Sequence, residues 1–316
     1  MKKRIILLTL ALFASVANSE EIVFKTSTGQ LHGTLETPES SGPHSLVLII
    51  SGSGPTDRDG NVLGLQGKNN SLKYLAEALS RKGVSSLRFD KRGIGKSASS
   101  ALREEDLRFE TYIDDVTGWM NYLKNMGQHS KYIILGHSEG SLIGMMAAQR
   151  GNVDGFISIS GAGKPAPDII IEQTRKQLPP DLMKETERII TELKAGRTVE
   201  KPPTALNALF RESMQPYLIS WIKYNPAKEI AKLDIPLLII QGTTDIQTSV
   251  DDATLLSDAS KRAKLILIEG MNHVLKRVPN EVQKQLASYV DPSLPVSEDL
   301  VTVILEFINL IEKKKP

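Results

Sequence analysis

Cysteine is absent from the 316 residues, which removes disulfide scaffolds, thiolate nucleophiles and thiolate metal sites together. Aromatic residues make up only 5% of the chain, and neither sign of charge dominates: 39 basic residues stand against 37 acidic ones, a formal net charge of +2. A nucleic-acid interface needs a basic footprint, and the nearest thing to one is the terminal run Lys313 to Lys315, which reads as a solvated tail. Long apolar runs are missing after the first residues, so no membrane span is expected once the leader is removed. With 40% hydrophobic and 24% charged residues, the chain can still bury a sizeable core.

The leader has three parts. Lys2, Lys3 and Arg4 precede an apolar run from Ile5 to Ala17, and small residues, Ala17, Asn18 and Ser19, follow before Glu20. This order reads as a secretory signal over residues 1–19, cut after Ala17 or Ser19, and predicts export to the periplasm or the medium.

Hydrophobic texture then predicts the architecture. Ile22 to Ser27 and Gln30 to Glu36 alternate apolar and polar around Thr28-Gly29, as an antiparallel strand pair would. Next come short unbroken apolar runs, Leu46 to Ile50, Val84 to Phe89, Tyr132 to Leu135 and Gly155 to Ile159. They are separated by amphipathic stretches near Leu72 to Arg81, Tyr112 to Lys124 and Ser141 to Gln149. Unbroken runs suit strands covered on both faces, so an α/β fold with a mostly parallel sheet flanked by helices is expected. From 164 to 232 prolines recur between helical stretches without a strand-like run, which predicts a helical cap inserted into a core of residues 20–163 and 233–316. The sheet pattern resumes at Pro236 to Ile240 and Leu265 to Ile268, with helices near Asp251 to Ser260 and Leu300 to Glu312.

One motif carries chemistry. Gly136-His137-Ser138-Glu139-Gly140 lies between a predicted strand and a predicted helix, the context of a nucleophile elbow that lifts Ser138 clear of the sheet. A serine hydroxyl needs a base, and the chain has only five histidines. His32 lies in the early strand pair, His44 in a Gly-Pro loop and His129 in the loop before the elbow strand, while His137 reads as a packing residue of the turn. His273 follows the last predicted strand, at the sheet edge where such folds place their sites. The acid that orients it is expected to be Asp245, directly after the preceding strand. Asp251 and Asp252 are rivals that fit better at a helix N-terminus. Oxyanion donors are expected from the backbone N–H groups of Glu139 and Ser53, with Gly54 second to Ser53 in the glycine-rich loop Ser51 to Gly60. Tyr217 and Trp221, spaced i, i+4 on a cap helix, are candidate walls of an acyl pocket, with packing against the core as the competing role. Asp90 and Arg92 read as loop braces. No metal or cofactor is called for.

Taken together, these motifs resemble the α/β-hydrolase superfamily, and within it the branch of bacterial esterases and serine-aminopeptidase-like hydrolases. Ser51-Gly52-Ser53-Gly54-Pro55-Thr56-Asp57-Arg58-Asp59 is similar to that branch's first loop, and Asp90-Lys91-Arg92-Gly93-Ile94-Gly95-Lys96-Ser97 resembles the superfamily's D-x-R-G-x-G-x-S loop. The resemblance implies cofactor-free hydrolysis of small acyl esters of short to medium chain through an acyl-enzyme. Two other readings stay open: a peptidase of the prolyl-aminopeptidase type, and a catalytically silent binding protein. One departure is visible, since many members begin the first loop with His-Gly where this chain has Ser51-Gly52.

Overall fold

Residues 18–175 and 177–313 are described by the computed structural model. The expected leader therefore lies outside the described residues, apart from Asn18 and Ser19, which begin the first strand. Strands β1 (Asn18–Thr26) and β2 (Gly29–Thr37) pair antiparallel, and the alternation read in the sequence buries Ile22, Leu31 and Leu35 while His32 and Thr34 stay half-exposed; Glu36 departs from it, buried in an ion pair with Arg88. Gly29 turns the corner at φ 142°, and a Cβ there would lie 2.7 Å from the Ser100 backbone, so no other residue fits.

Six further strands follow: β3 (His44–Ile50), β4 (Ser85–Phe89), β5 (His129–His137), β6 (Gly155–Ile159), β7 (Leu237–Gly242) and β8 (Ala263–Ile268). The sheet order is β1-β2-β4-β3-β5-β6-β7-β8, with β2 antiparallel to β4 and every pair from β4 to β8 parallel. Helices cover both faces. Along β5, Ile133 and Leu135 join one buried cluster while Ile134 joins the other, which is why the strand reads as unbroken apolar sequence.

On one face α1 (Ser71–Ser80) packs Leu72, Leu75 and Leu79 beside Ile304 and Ile308 of the closing helix 298–313. On the other, α2 (Phe109–Met126) and α3 (Glu139–Gly151) bury Trp119, Met120 and Ile143 against Ile134 and Phe156. Each such Leu, Ile or Met contributes about 1.5–3 kcal/mol by leaving water.

Between β6 and β7 the described residues form helices alone: α4 (Ala166–Arg175), α5 (Pro180–Lys194), α6 (Asn207–Phe210), α7 (Gln215–Ile222) and α8 (Pro226–Ile230), with short 3₁₀ turns among them. Its prolines open helices: Pro180, Pro216 and Pro226 sit in the first helical positions, where the missing N–H has no intrahelical partner to lose. Ile189, Ile190, Phe210, Leu218 and Ile230 from this insertion belong to the same buried cluster as Trp119 and Phe156, so it shares a core with the sheet. Helices α9 (Val250–Asp258), α10 (Val282–Ser288) and α11 (Glu298–Lys313) complete the fold.

Three details depart from the expectations. His44 and His129 are not loop residues; they begin β3 and β5 and stand side by side in register. Strand β5 runs on through Gly136 and His137 to the elbow itself. Helix α10 was not foreseen, because seven residues with Val282 and Leu286 exposed give no periodic signal. No helix among the described residues is long and apolar enough to cross a membrane.

Candidate active site

Ser138 sits where β5 ends and α3 begins, at φ 56° and ψ −123°, a backbone conformation that costs a non-glycine residue free energy. The glycines around it are steric necessities. A Cβ on Gly136 would lie 2.2 Å from the Gly140 carbonyl oxygen, and one on Gly140 would lie 2.5 Å from the Ile50 carbonyl oxygen. The strained serine is tied down by its own backbone, its N–H donating to Ile159 O at 3.0 Å and its carbonyl accepting from Ser141 N at 2.9 Å.

His273 comes from the tight loop after β8. Asn272 Oδ1 accepts from Lys276 N, Asn272 Nδ2 donates to Ser288 Oγ of α10, and Met271 pairs with Arg277 across the loop. Its ring Nδ1 lies 2.9 Å from Asp245 Oδ2 and 3.1 Å from Oδ1. Asp245, from the turn after β7, also accepts from Gln247 N at 2.8 Å, Thr248 N at 3.1 Å and Thr248 Oγ1 at 3.0 Å. Burial alone would raise this carboxyl; the His273 charge, its hydrogen bond and the two backbone donors outweigh that and hold it well below the usual carboxylate range. An ionised acid on Nδ1 fixes the tautomer and leaves Nε2 free to act as a base. The rival acids are accounted for: Ser249 and Asp252 form a capping box at the start of α9, and Asp251 lies in its first turn.

Ser138 and His273 line one cavity of about 150 Å³, together with Ser53, Thr56, Val62, Gln247, Val274 and Tyr289. No hydrogen bond joins Ser138 Oγ to His273 among the described residues. Gly52 borders the same space: a Cβ there would lie 3.6 Å from Ser138 Oγ. Among the described residues the N–H groups of Ser53 and Glu139, the two expected oxyanion donors, have no acceptor, and Ser53 is exposed at the cavity rim.

Tyr217 and Trp221 take part in aromatic packing. Trp221 stacks on Phe109 with ring centroids 6.2 Å apart, and Tyr217 is buried beside the same ring with its hydroxyl donating to Glu139 Oε1 at 2.8 Å. Neither side chain lines the cavity over Ser138. These contacts pack α7 on α2 through Phe109, an aromatic surface that only tertiary structure reveals.

Asp90 and Arg92 are braces. Asp90 accepts from Arg58 N and Arg58 Nη2, both at 2.8 Å, and from Lys96 N at 2.9 Å, clipping the end of the first loop to its own. Arg92 makes a two-pronged pair with buried Asp115 of α2.

Sequence reasoning missed what His137 does. Its Nε2 lies 2.8 Å from the His273 carbonyl oxygen, so the residue before Ser138 holds the backbone of His273. Burial, then the neighbouring His273, pushes the His137 ring down to about 3 from an ordinary 6.5. Between those values the unfolded chain binds a proton that the folded chain refuses, so stability falls as pH drops through this window and is unaffected above it. The slope is at most about 1.4 kcal/mol per pH unit. Half-buried His129, also shifted down by its partial burial, acts in the same direction. Urea midpoints measured from pH 7 to 4 should therefore fall less steeply for His137→Gln than for wild type; parallel curves would show that His137 carries none of the dependence.

A doubly covered parallel sheet, a strained serine at a strand-to-helix turn, and an acid and a histidine on the next two strand ends define an α/β-hydrolase. The chain belongs to the family described as "Serine aminopeptidase, S33", whose profile matches residues 61–220, a span that contains the elbow but neither Asp245 nor His273. It is 28% identical over 264 residues to esterase EstD of Thermotoga maritima, a match covering 81% of this chain and 61% of that protein's length. Among solved structures, Est1E from Butyrivibrio proteoclasticus matches with a TM-score of 0.58 at 17% identity, covering 92% of this chain and 99% of that one. The enol-lactonase from Burkholderia xenovorans LB400 matches with a TM-score of 0.56 at 17% identity, over 91% of this chain and all of the other. At these identities the structural likeness speaks for the fold.

Proposed function

We propose that the protein is a serine carboxylesterase acting on short acyl esters through an acyl-enzyme. Ser138 Oγ attacks the ester carbonyl while His273 Nε2 takes its proton, and the N–H groups of Ser53 and Glu139 hold the resulting oxyanion. Collapse expels the alcohol, which leaves with the proton from His273. Water, deprotonated by the same nitrogen, then attacks the acyl-serine and releases the carboxylic acid and free Ser138. Kinship with an esterase over most of this chain supports the reaction class.

The carrying observation is the cavity. At about 150 Å³ it falls below the roughly 300–1,000 Å³ of pockets that take drug-sized ligands, which favours the short end of the acyl range. No aspartate or glutamate lines it, so the free amine of an aminopeptidase substrate finds no counter-charge there. Four acidic residues of the insertion are paired elsewhere: Glu172 with Lys164, Glu185 with Arg188, Glu187 with Arg175 and Glu192 with Arg197.

A panel of nitrophenyl esters from acetate to decanoate, run beside an amino-acyl naphthylamide, tests this. Turnover should peak at acetate to butyrate and fall at least tenfold by octanoate, with the naphthylamide near background. Preference for the naphthylamide would overturn the esterase reading, and a maximum at decanoate would overturn the short-chain assignment.

A further inference from the structure

We propose that Lys91 is a positioning residue of the oxyanion hole, setting the direction and polarity of the Ser53 N–H from behind its own peptide group. This rests on the reading of Ser138 as a nucleophile.

Lys91 follows β4 inside the run Asp90-Lys91-Arg92, whose outer members brace other loops. Its ammonium is fully buried and donates to the Gly52 carbonyl oxygen at 2.5 Å. It also lies 3.5 Å from Glu139 Oε2 and 5.4 Å from the centre of the Tyr112 ring. Gly52 C=O and Ser53 N–H are the two ends of one peptide unit, and no peptide bond among the described residues is cis. In a trans peptide the carbonyl and the N–H point in opposite directions, so pinning one aims the other. Pinning matters here because Ser53, Gly54 and Pro55 are exposed and held mainly by short-range bonds, Thr56 Oγ1 to Ser53 O and Thr56 N to Gly54 O, both at 2.8 Å. A cation on the carbonyl also draws electron density through the peptide and strengthens the N–H as a donor.

The partner of Lys91 adds a second link. Glu139 is the residue whose own N–H is the other expected donor, and its carboxylate takes the Tyr217 hydroxyl on one oxygen and faces Lys91 with the other. The two donors therefore belong to segments joined behind the site by one buried ion pair. Burial favours the neutral amine and the Glu139 charge opposes it, so loss of either partner strands the other.

The test compares wild type with Lys91→Met, Lys91→Arg and the double variant Lys91→Met/Glu139→Gln, which leaves no unpaired charge if the single methionine variant folds poorly. Three quantities are read: kcat and KM on nitrophenyl butyrate, the affinity of an alkyl boronic acid that mimics the tetrahedral adduct, and the rate of fluorophosphonate labelling at Ser138. Removing a donor outright costs about 10²- to 10³-fold in kcat, so misdirecting one should cost about 10- to 100-fold. The loss should fall in kcat with KM within about twofold, boronate affinity and labelling rate should drop by a similar factor, and Lys91→Arg should recover part of it. Methionine variants that fold and match wild type in kcat and boronate affinity, or that change KM alone, overturn the role of Lys91. A wild type that neither turns over esters nor labels at Ser138 overturns the hydrolase reading, and the role of Lys91 with it.

Discussion

Asp245→Asn should lower kcat on a short nitrophenyl ester by about 10⁴-fold at neutral pH while leaving KM nearly unchanged. The expectation follows from the donors around the carboxylate. Gln247 N and Thr248 N both donate to Asp245 Oδ1, while Oδ2 faces His273 Nδ1 and the Thr248 hydroxyl, so an asparagine keeps its carbonyl oxygen at the two backbone donors and turns its amide NH₂ toward His273 Nδ1 and Thr248 Oγ1, which can turn to accept. An amide donor at that position accepts no proton from the ring, so the imidazole is left with its hydrogen on Nε2. That tautomer cannot take a proton from Ser138. Steady-state kinetics with a circular dichroism control check it; a loss under tenfold would show that Asp245 does not orient the base.

Ser138→Ala should do more, lowering kcat by about 10⁶-fold and leaving only what the oxyanion donors and binding supply. Folding should survive, because Ser138 is held through its backbone N–H and carbonyl, both of which alanine retains. Turnover of the alanine variant within tenfold of wild type would remove Ser138 from the reaction. The two variants differ in kind: the first spoils the base and spares the nucleophile, the second does the reverse. Combining them should therefore cost little beyond Ser138→Ala alone.

Much of this was legible in the sequence where physics leaves one solution. Apolar runs marked the parallel strands because Ile133, Ile134 and Leu135 are each covered, on alternating faces. Gly136 and Gly140 marked the elbow because any side chain there collides with backbone. Asp245 and His273 could be chosen because each follows a strand, and the favourable dipole at a helix N-terminus gave Asp251 and Asp252 another role, in line with their place in the first turn of α9. Legibility ended where one residue's role depends on another distant in the chain. Nothing near Lys91 reveals that its ammonium meets Gly52, nor anything near His137 that its ring meets the His273 carbonyl. The i, i+4 spacing of Tyr217 and Trp221 was real, but spacing gives a shared helix face and not what that face touches; here it touches Phe109.

The most direct test of a reactive alcohol at the elbow is peptide mapping of the intact protein after exposure to a fluorophosphonate, which phosphonylates only a serine activated by a base and an oxyanion hole. One adduct per chain, on the peptide bearing Ser138 and lost in both Ser138→Ala and His273→Ala, is the predicted result. An adduct on any other residue, or none at all on protein that hydrolyses nitrophenyl esters, would contradict it.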